Sequence, residues 1–389
     1  MKKIYLDSAS TTPLEPCVWE KLQPYLSTHF GNASSIHSFG QLTKAVLEEA
    51  RSELAKQLGA KPAEIFFTSG GTEANNFALK GFVFSAIREN VPVRIISSRL
   101  EHKAVLESLS WIETVCRVPV CFIQHDTAGR LDLDDLRKQL AAERTSRTLV
   151  SLMHANNELG NLNPIEQIAA MVKEYGAVLH TDAVQSVGKV KIDVKQLGAE
   201  MLSLSGHKFH APKGIGALFI RQGTRVEPLL HGGSHERNLR AGTENYAFAF
   251  AQSEALRRAN ESIEQTTAHI ARLQQLFLNE LEKSEVPFER NGDKERALPH
   301  IVNLTFKLAG QRKLARDVLL LALDAAGVAV SSGSACTSGT EKPSHVLLAL
   351  GKSEAEARAS IRVSFSKLNT AEEVVEAAQR IAEVVRKLQ

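Results

Sequence analysis

Between Ile65 and Arg221 the chain alternates short apolar runs with stretches of helical period, and this alternation constrains the fold most. The runs Ile65–Thr68, Val93–Ser97, Val118–Ile123, Thr148–Met153, Ala177–Asp182, Met201–Ser205 and Gly216–Arg221 read as strands. Between them, Thr72–Arg88, His102–Thr114, Asp132–Glu143 and Pro164–Tyr175 read as helices. Strands alternating with helices of this length mean βαβ units and a mainly parallel sheet. Most runs are continuously apolar rather than alternating, as expected of strands covered on both faces. The pattern then changes. Asn245–Ser284 reads as one long helical stretch leading into a smaller unit with strands at Ile301–Phe306, Val328–Ser331 and Ile361–Phe365, and a last helix at Ala371–Leu388. The expected organisation is a large domain, 14–255, and a small α+β domain made of 1–13 and 256–389.

Composition narrows the function classes. With 47 basic and 44 acidic residues, the formal charge of +3 lacks the basic surplus of a dedicated nucleic-acid binder. The four cysteines, Cys17, Cys116, Cys121 and Cys336, form no C-x-x-C pair, which leaves zinc ribbons and thioredoxin-type sites unsupported and fits a reducing compartment. Asp7 arrives before any apolar h-region, and no apolar run reaches the ~18 residues of a membrane span. The expectation is a cytoplasmic protein without a membrane or a metal. Several motifs fail on inspection. Gly214-Ile215-Gly216 has Phe219 where the third glycine of a dinucleotide fingerprint belongs, and a strand follows it. Ser205–Lys208 fits S-x-x-K, but its companion motifs are missing. His231 and His235 sit among Pro228, Gly232 and Gly233, a poor setting for a helical zinc pair.

Four segments carry chemistry. In Thr68-Ser69-Gly70-Gly71-Thr72-Glu73 a strand ends in two glycines and a helix begins; free N–H groups at such a start suit a phosphate, or the corner is an ordinary turn capped by Thr72. Asp182 ends a buried strand at the edge where α/β ligands bind. An acid there needs a cationic partner, which a protonated pyridine nitrogen would supply, or else it caps the following segment. Lys208, closing Ser205-Gly206-His207-Lys208, is a Schiff-base lysine if its surroundings lower its pKa, or a surface lysine. Cys336 sits alone in the Gly/Ser/Thr-rich run Ser331–Lys342, read as a mobile loop; it is a nucleophile on a swinging arm or an incidental thiol. A base for an aldehyde, an acid for a ring nitrogen and a cradle for a phosphate are together what a pyridoxal 5'-phosphate site needs.

These segments sit among others that carry a family likeness over essentially the whole chain: Tyr5-Leu6-Asp7 with Thr11-Thr12-Pro13, Gly31-Asn32-Ala33-Ser34, Glu101-His102, Met153-His154 with Asn156-Asn157-Glu158, Asp182-Ala183 with Gln185-Ser186, Arg240 with Gly242-Thr243, and Ser332-Gly333-Ser334-Ala335-Cys336. The sequence resembles the cysteine desulfurases of the NifS and IscS type, pyridoxal-phosphate enzymes of fold type I in the class V aminotransferases. The resemblance implies that L-cysteine is converted to L-alanine, with the sulfur held as a Cys336 persulfide and passed to an acceptor in iron–sulfur cluster assembly or tRNA thiolation. It implies catalytic roles for Lys208, Cys336 and His102. Cofactor contacts would come from Gly71, Thr72, His102, Asn157, Asp182, Gln185, Ser205, His207 and Lys208, with Thr243 reaching in from the second subunit of a homodimer. Arg362 and Asn157 would bind the substrate, Arg362 by its carboxylate. Selenocysteine lyase, or another class V aminotransferase activity, is the alternative on the same fold. The expected partners are the substrate, a second copy of the chain and a sulfur-acceptor protein. The loop after Cys336 is long, as in the IscS branch, while the chain stops at Gln389, short of the tail with which IscS proteins contact a scaffold. Two segments, Asp7–Ser10 and Gly70-Gly71, depart slightly from the common family forms, and neither is expected to touch a chemical group.

Overall fold

The structure is a computed structural model that describes residues 2–143, 147–307, 318–332 and 343–389. Its strands, in chain order, begin with β1 (Ile4–Tyr5) and continue with β2 (Ile65–Thr68), β3 (Val93–Ser98), β4 (Val120–Ile123), β5 (Arg147–Ser151), β6 (Val178–Asp182), β7 (Met201–Ser205) and β8 (Gly216–Ile220). The last four are β9 (Phe288–Asn291), β10 (Ile301–Phe306), β11 (Val328–Ala329) and β12 (Ser360–Ser364).

Seven strands form one sheet in the order β2-β8-β7-β6-β5-β3-β4. The neighbours from β7 to β4 pair in parallel, and β8 alone runs antiparallel, to both β2 and β7. Adjacent residues serve opposite cores. Phe67, Ile96, Val150 and Phe219 pack into a layer with the Ser38–Leu58 and Tyr246–Glu261 helices, while Phe66, Ile95, Leu149 and Leu218 pack against Gly71–Arg88 and Lys103–Cys116. Both faces must therefore be apolar, which is why the strands lack polar alternation. The parallel strands bring the ends of β2, β3, β5, β6 and β7 to one edge of the sheet.

A separate core gathers Ile4 and Leu6 with residues from Ile270 to Val385. It lies under a three-stranded antiparallel sheet, β12-β10-β9, and the helices Ile263–Lys283 and Ala371–Leu388. Phe277 and Phe365 meet edge to face there at 5.6 Å. The short strand β1 pairs in parallel with β11, so the first residues of the chain are built into the C-terminal unit.

The long helical stretch expected over Asn245–Ser284 is two helices, broken at Ser262, whose φ of −110° and ψ of 12° are not helical. Its apolar stripe continues across the break, and serine is too weak a breaker to show in a periodicity. Of the run Ser331–Lys342, Ser331 and Ser332 are described; Cys336 and its neighbours lie outside the described residues. Ser331 and Arg362 exchange backbone hydrogen bonds, which fixes the start of that run beside β12.

Candidate active site

At the C-terminal edge of the sheet a cavity of about 370 Å³ is lined by Gly71, Thr72, His102, Asn157, Asp182, Gln185, Ser205, His207, Lys208 and Arg362. Ten residues from distant parts of the sequence thus reach one space, together with Asn75 and the backbone around Ala9 and Ser10.

The floor is made by strand ends. Asp182 closes β6 and is 6% exposed. Its Oδ2 accepts from Asn75 Nδ2 at 2.7 Å, and its Oδ1 accepts from the Val184 N–H at 2.9 Å. Asn75 stands one turn along the helix that begins at Gly71, so the same helix offers its start and a side chain to the cavity. That start is uncapped by any side chain, because Gly70 stands at the N-cap with φ 155° and ψ −177°. Its first N–H groups are left for a ligand. A Cβ on Gly71 would come within 2.7 Å of Val184 Cγ2, and one on Gly216, the first residue of β8, within 2.7 Å of Gly70 backbone. Glycine at these positions lets strand end and helix start close into a cradle.

Lys208 follows β7 through a single turn of tight helix, Gly206–Lys208. Its Nζ donates to the carbonyls of Ala9 at 2.6 Å and Ser10 at 2.7 Å. Burial pushes this amine down to about 8; the Arg362 charge adds to the effect, while Asp7 and Asp182 oppose it. A lysine in this state supplies neutral amine near neutral pH far more readily than a solvated one. His102 caps the Lys103–Cys116 helix by accepting from the Ala104 N–H at its Nδ1, at 3.0 Å. Burial lowers its pKa, with Asp182 opposing. The neutral ring therefore carries its proton on Nε2. The backbone N–H of Met153 donates to Glu101 Oε1 at 2.7 Å, and burial raises the Glu101 carboxyl well above the usual range.

The roof comes from the chain's beginning. Gln185 Nε2 donates to the Ala9 carbonyl at 2.8 Å, and the Thr12 N–H and hydroxyl both donate to the His207 carbonyl. His207 Nδ1 lies 3.2 Å from Thr11 Oγ1, and burial pushes its pKa down to about 4. Arg362, in β12 and 3% exposed, donates to the Asn157 carbonyl at 2.8 Å, to Asp7 Oδ1 at 2.9 Å and to Ser10 Oγ at 2.6 Å. Its Nε is buried without a partner among the described residues, as are Asn157 Oδ1 and Asn75 Oδ1. Unpaired groups of this kind are costly unless a ligand meets them.

The model of the family described as "Aminotransferase class-V" matches residues 4–376. The chain is 42% identical over 388 residues to the cysteine desulfurase IscS of Dictyoglomus turgidum, covering 99% of this chain and 96% of the relative. A solved NifS-like protein superposes with a TM-score of 0.89 at 32% identity, over 99% of this chain and all of that one. A second structure, SspA in complex with cysteine, gives a TM-score of 0.81 at 34% identity, over 94% of this chain and 100% of its own. The chain belongs to the class V aminotransferases, in their cysteine desulfurase branch. Its architecture, a large mainly parallel sheet between helices with a smaller α+β unit, is that of the fold-type-I pyridoxal-phosphate enzymes.

Of the residues singled out for such an enzyme, Thr243 does not line the cavity; it is exposed on the stretch before the Tyr246–Glu261 helix. That stretch is tied to the phosphate corner by Arg240, whose guanidinium donates to both Glu73 oxygens at 2.8 and 3.2 Å. Cys336 lies outside the described residues. Cys17, Cys116 and Cys121 are free and half-buried against the sheet's two cores. The expectation that Asp7–Ser10 touches no chemical group is wrong, and for Gly71 it stood against the cofactor contact also expected of that residue. Asp7 and Ser10 hold Arg362, two of the segment's carbonyls hold Lys208, and Gly71 lines the cavity. Sequence reasoning also missed Asn75; its signal was its i+4 spacing from Gly71 on the helix.

Proposed function

We propose that this protein is a cysteine desulfurase that works with pyridoxal 5'-phosphate. The observation that carries the reading is the meeting, in one cavity, of a buried lysine with lowered pKa, a strand-end aspartate, a helix-capping neutral histidine and a buried arginine above an uncapped helix start. The glycine cradle and the unpaired Asn157 and Arg362 atoms fit the cofactor and an amino-acid substrate. Lys208 would hold the cofactor's aldehyde carbon and Asp182 its ring nitrogen. Gly71, Thr72, Ser205 and His207 would hold the phosphate, and Gln185 and Asn157 the phenolic oxygen. When bound, the group supplies an electron sink that loosens bonds at the α and β carbons of an amino acid.

The chain's own residues do the rest. Asn75 and the Val184 N–H orient the Asp182 carboxylate. Lys208, with an amine near pH 8, takes up and returns a proton at Nζ. His102 presents Nε2–H to the cavity because Nδ1 is committed to the helix. Arg362 exchanges Asp7 and Ser10 for the substrate carboxylate, which its planar fork grips through two parallel bonds. The Cys336 thiolate attacks the substrate sulfur: the S–S bond forms, the Cβ–S bond breaks, a proton goes to Cβ, and L-alanine and a Cys336 persulfide result. No outside oxidant or reductant is needed for this step. The reading extends to two domains, 14–255 and 1–13 with 256–389, and to a homodimer in which Thr243 completes the neighbouring site. It also extends to a cytoplasmic location and to an iron–sulfur scaffold or sulfur carrier as acceptor.

The test is to give the protein pyridoxal phosphate and L-cysteine, measure alanine, and look for one extra sulfur on the Cys336 peptide by mass spectrometry. Cys336→Ala is expected to take up the cofactor and form no persulfide. Full alanine turnover by that variant would overturn the sulfur-acceptor role of Cys336, and turnover of selenocysteine alone would move the protein to the lyase reading.

A further inference from the structure

Lys189 has no place in the mechanism above, yet it is a lysine only 8% exposed, one residue past a glycine in a tight turn. Its Nζ donates to Gln185 Oε1 at 2.8 Å. No carboxylate pairs with it among the described residues. The charged and titratable groups that face it are Lys208 from the turn after β7, Arg362 from β12, and the imidazoles of His207, His210 and His300. Burial pushes the amine down to about 7, and Lys208 and Arg362 push the same way. A buried lysine without an acid is costly to keep, so a hydrophobic side chain would serve better if packing were its whole purpose.

Gln185 supplies the purpose. Its amide has two ends of opposite character, an oxygen that accepts and an NH2 that donates. The Ala9 carbonyl can only accept, so the NH2 must face it, and it does at 2.8 Å. Lys189 donates to the opposite end. The two partners leave one orientation of the amide, in which the second N–H of Gln185 is free for the cavity that the residue lines. A flipped amide would present its oxygen there and repel an anionic ligand oxygen.

We propose that Lys189 is a positioning residue that fixes which end of the Gln185 amide faces the cavity, and so equips the site to donate to the phenolic oxygen of the cofactor. This inference rests on the functional reading above. It is tested on cofactor-free protein titrated with pyridoxal phosphate, and on the pH at which the visible band of the loaded protein changes. Lys189→Met is expected to weaken cofactor affinity about tenfold, the scale of one hydrogen bond to a charged group. It is also expected to raise the pH midpoint by about one unit, since a lost donor to the phenolic oxygen favours the protonated chromophore. Lys189→Arg supplies a side chain that can only donate, and an adjoining cavity of about 40 Å³ gives it room; it is expected to stay near the parent and serves if the Met variant folds poorly. In a Gln185→Leu background, Lys189→Met should add nothing. Parent-like affinity and midpoint in Lys189→Met, or an undiminished effect in the Gln185→Leu background, would overturn the assignment. Failure of the unsubstituted protein to bind pyridoxal phosphate would instead overturn the functional reading beneath it.

Discussion

The floor and the roof of the cavity are built by different means. On the floor, Asp182, Ser205 and the Gly70-Gly71 corner sit where sheet strands end, and their own side chains or N–H groups face the ligand space. In the roof, the segment Asp7–Thr12 contributes mainly carbonyl oxygens, from Ala9 to Lys208 and Gln185 and from Ser10 to Lys208. The floor is fixed by a sheet buried on both faces. The roof is hung from β12, where Ser364 Oγ accepts from the Ala9 N–H at 2.9 Å and the Leu6 carbonyl accepts from the Ser364 N–H at 2.8 Å. The difference teaches that one part of the site is specified by residue type and the other by where the backbone is held.

Substitutions can break or sharpen that contrast. The largest effect belongs to Lys208→Ala, which is expected to reduce desulfurase turnover by about a thousandfold or more and to abolish any borohydride-fixed adduct at this position; an unchanged adduct would refute the assignment. Next comes Asn75→Leu, which leaves Asp182 Oδ2 without its donor. Cofactor affinity should fall about tenfold while the melting temperature of the cofactor-free protein changes little, and equal affinity would mean that the helix face takes no part in the floor. The smallest effect is expected from Ser364→Ala, which loosens the Ala9 suspension. A rise of about threefold in KM for cysteine with kcat nearly constant would show the roof acting on substrate through Arg362. A loss as large as that of Asn75→Leu would erase the distinction between the two regions.

The sheet was legible because continuous apolar runs and terminal glycines are local signals. Asp182 and Lys208 could be placed at its edge for the same reason. Asp7–Ser10 was misjudged because its service is rendered by backbone carbonyls, which every residue type carries, so side-chain identity says nothing about it. Arg362 was reached only by family likeness; its contacts with Asp7 and Asn157 span most of the chain, and no local pattern encodes them. Nothing local marked Lys189, which follows Gly188 in a turn, because burial of that turn is a tertiary property. The helix break at Ser262 escaped because amphipathic period is blind to a one-residue change of axis.

The pairing of β1 with β11, and of the roof with β12, has a consequence for biogenesis. Synthesis proceeds from the N-terminus, and the large sheet's strands all precede Arg221. Ile4, Tyr5 and Asp7 therefore leave the ribosome first yet find their partners Val328, Ala329 and Arg362 last, as does the Ala9 N–H that Ser364 holds. Until then the segment that offers its carbonyls to Lys208 and Gln185 lacks its anchorage on β11 and β12. Such long-range closure is slow compared with the βαβ units it completes. Truncated or stalled chains should hold a folded floor without a competent site, which ties the appearance of a reactive sulfur chemistry to completion of the polypeptide.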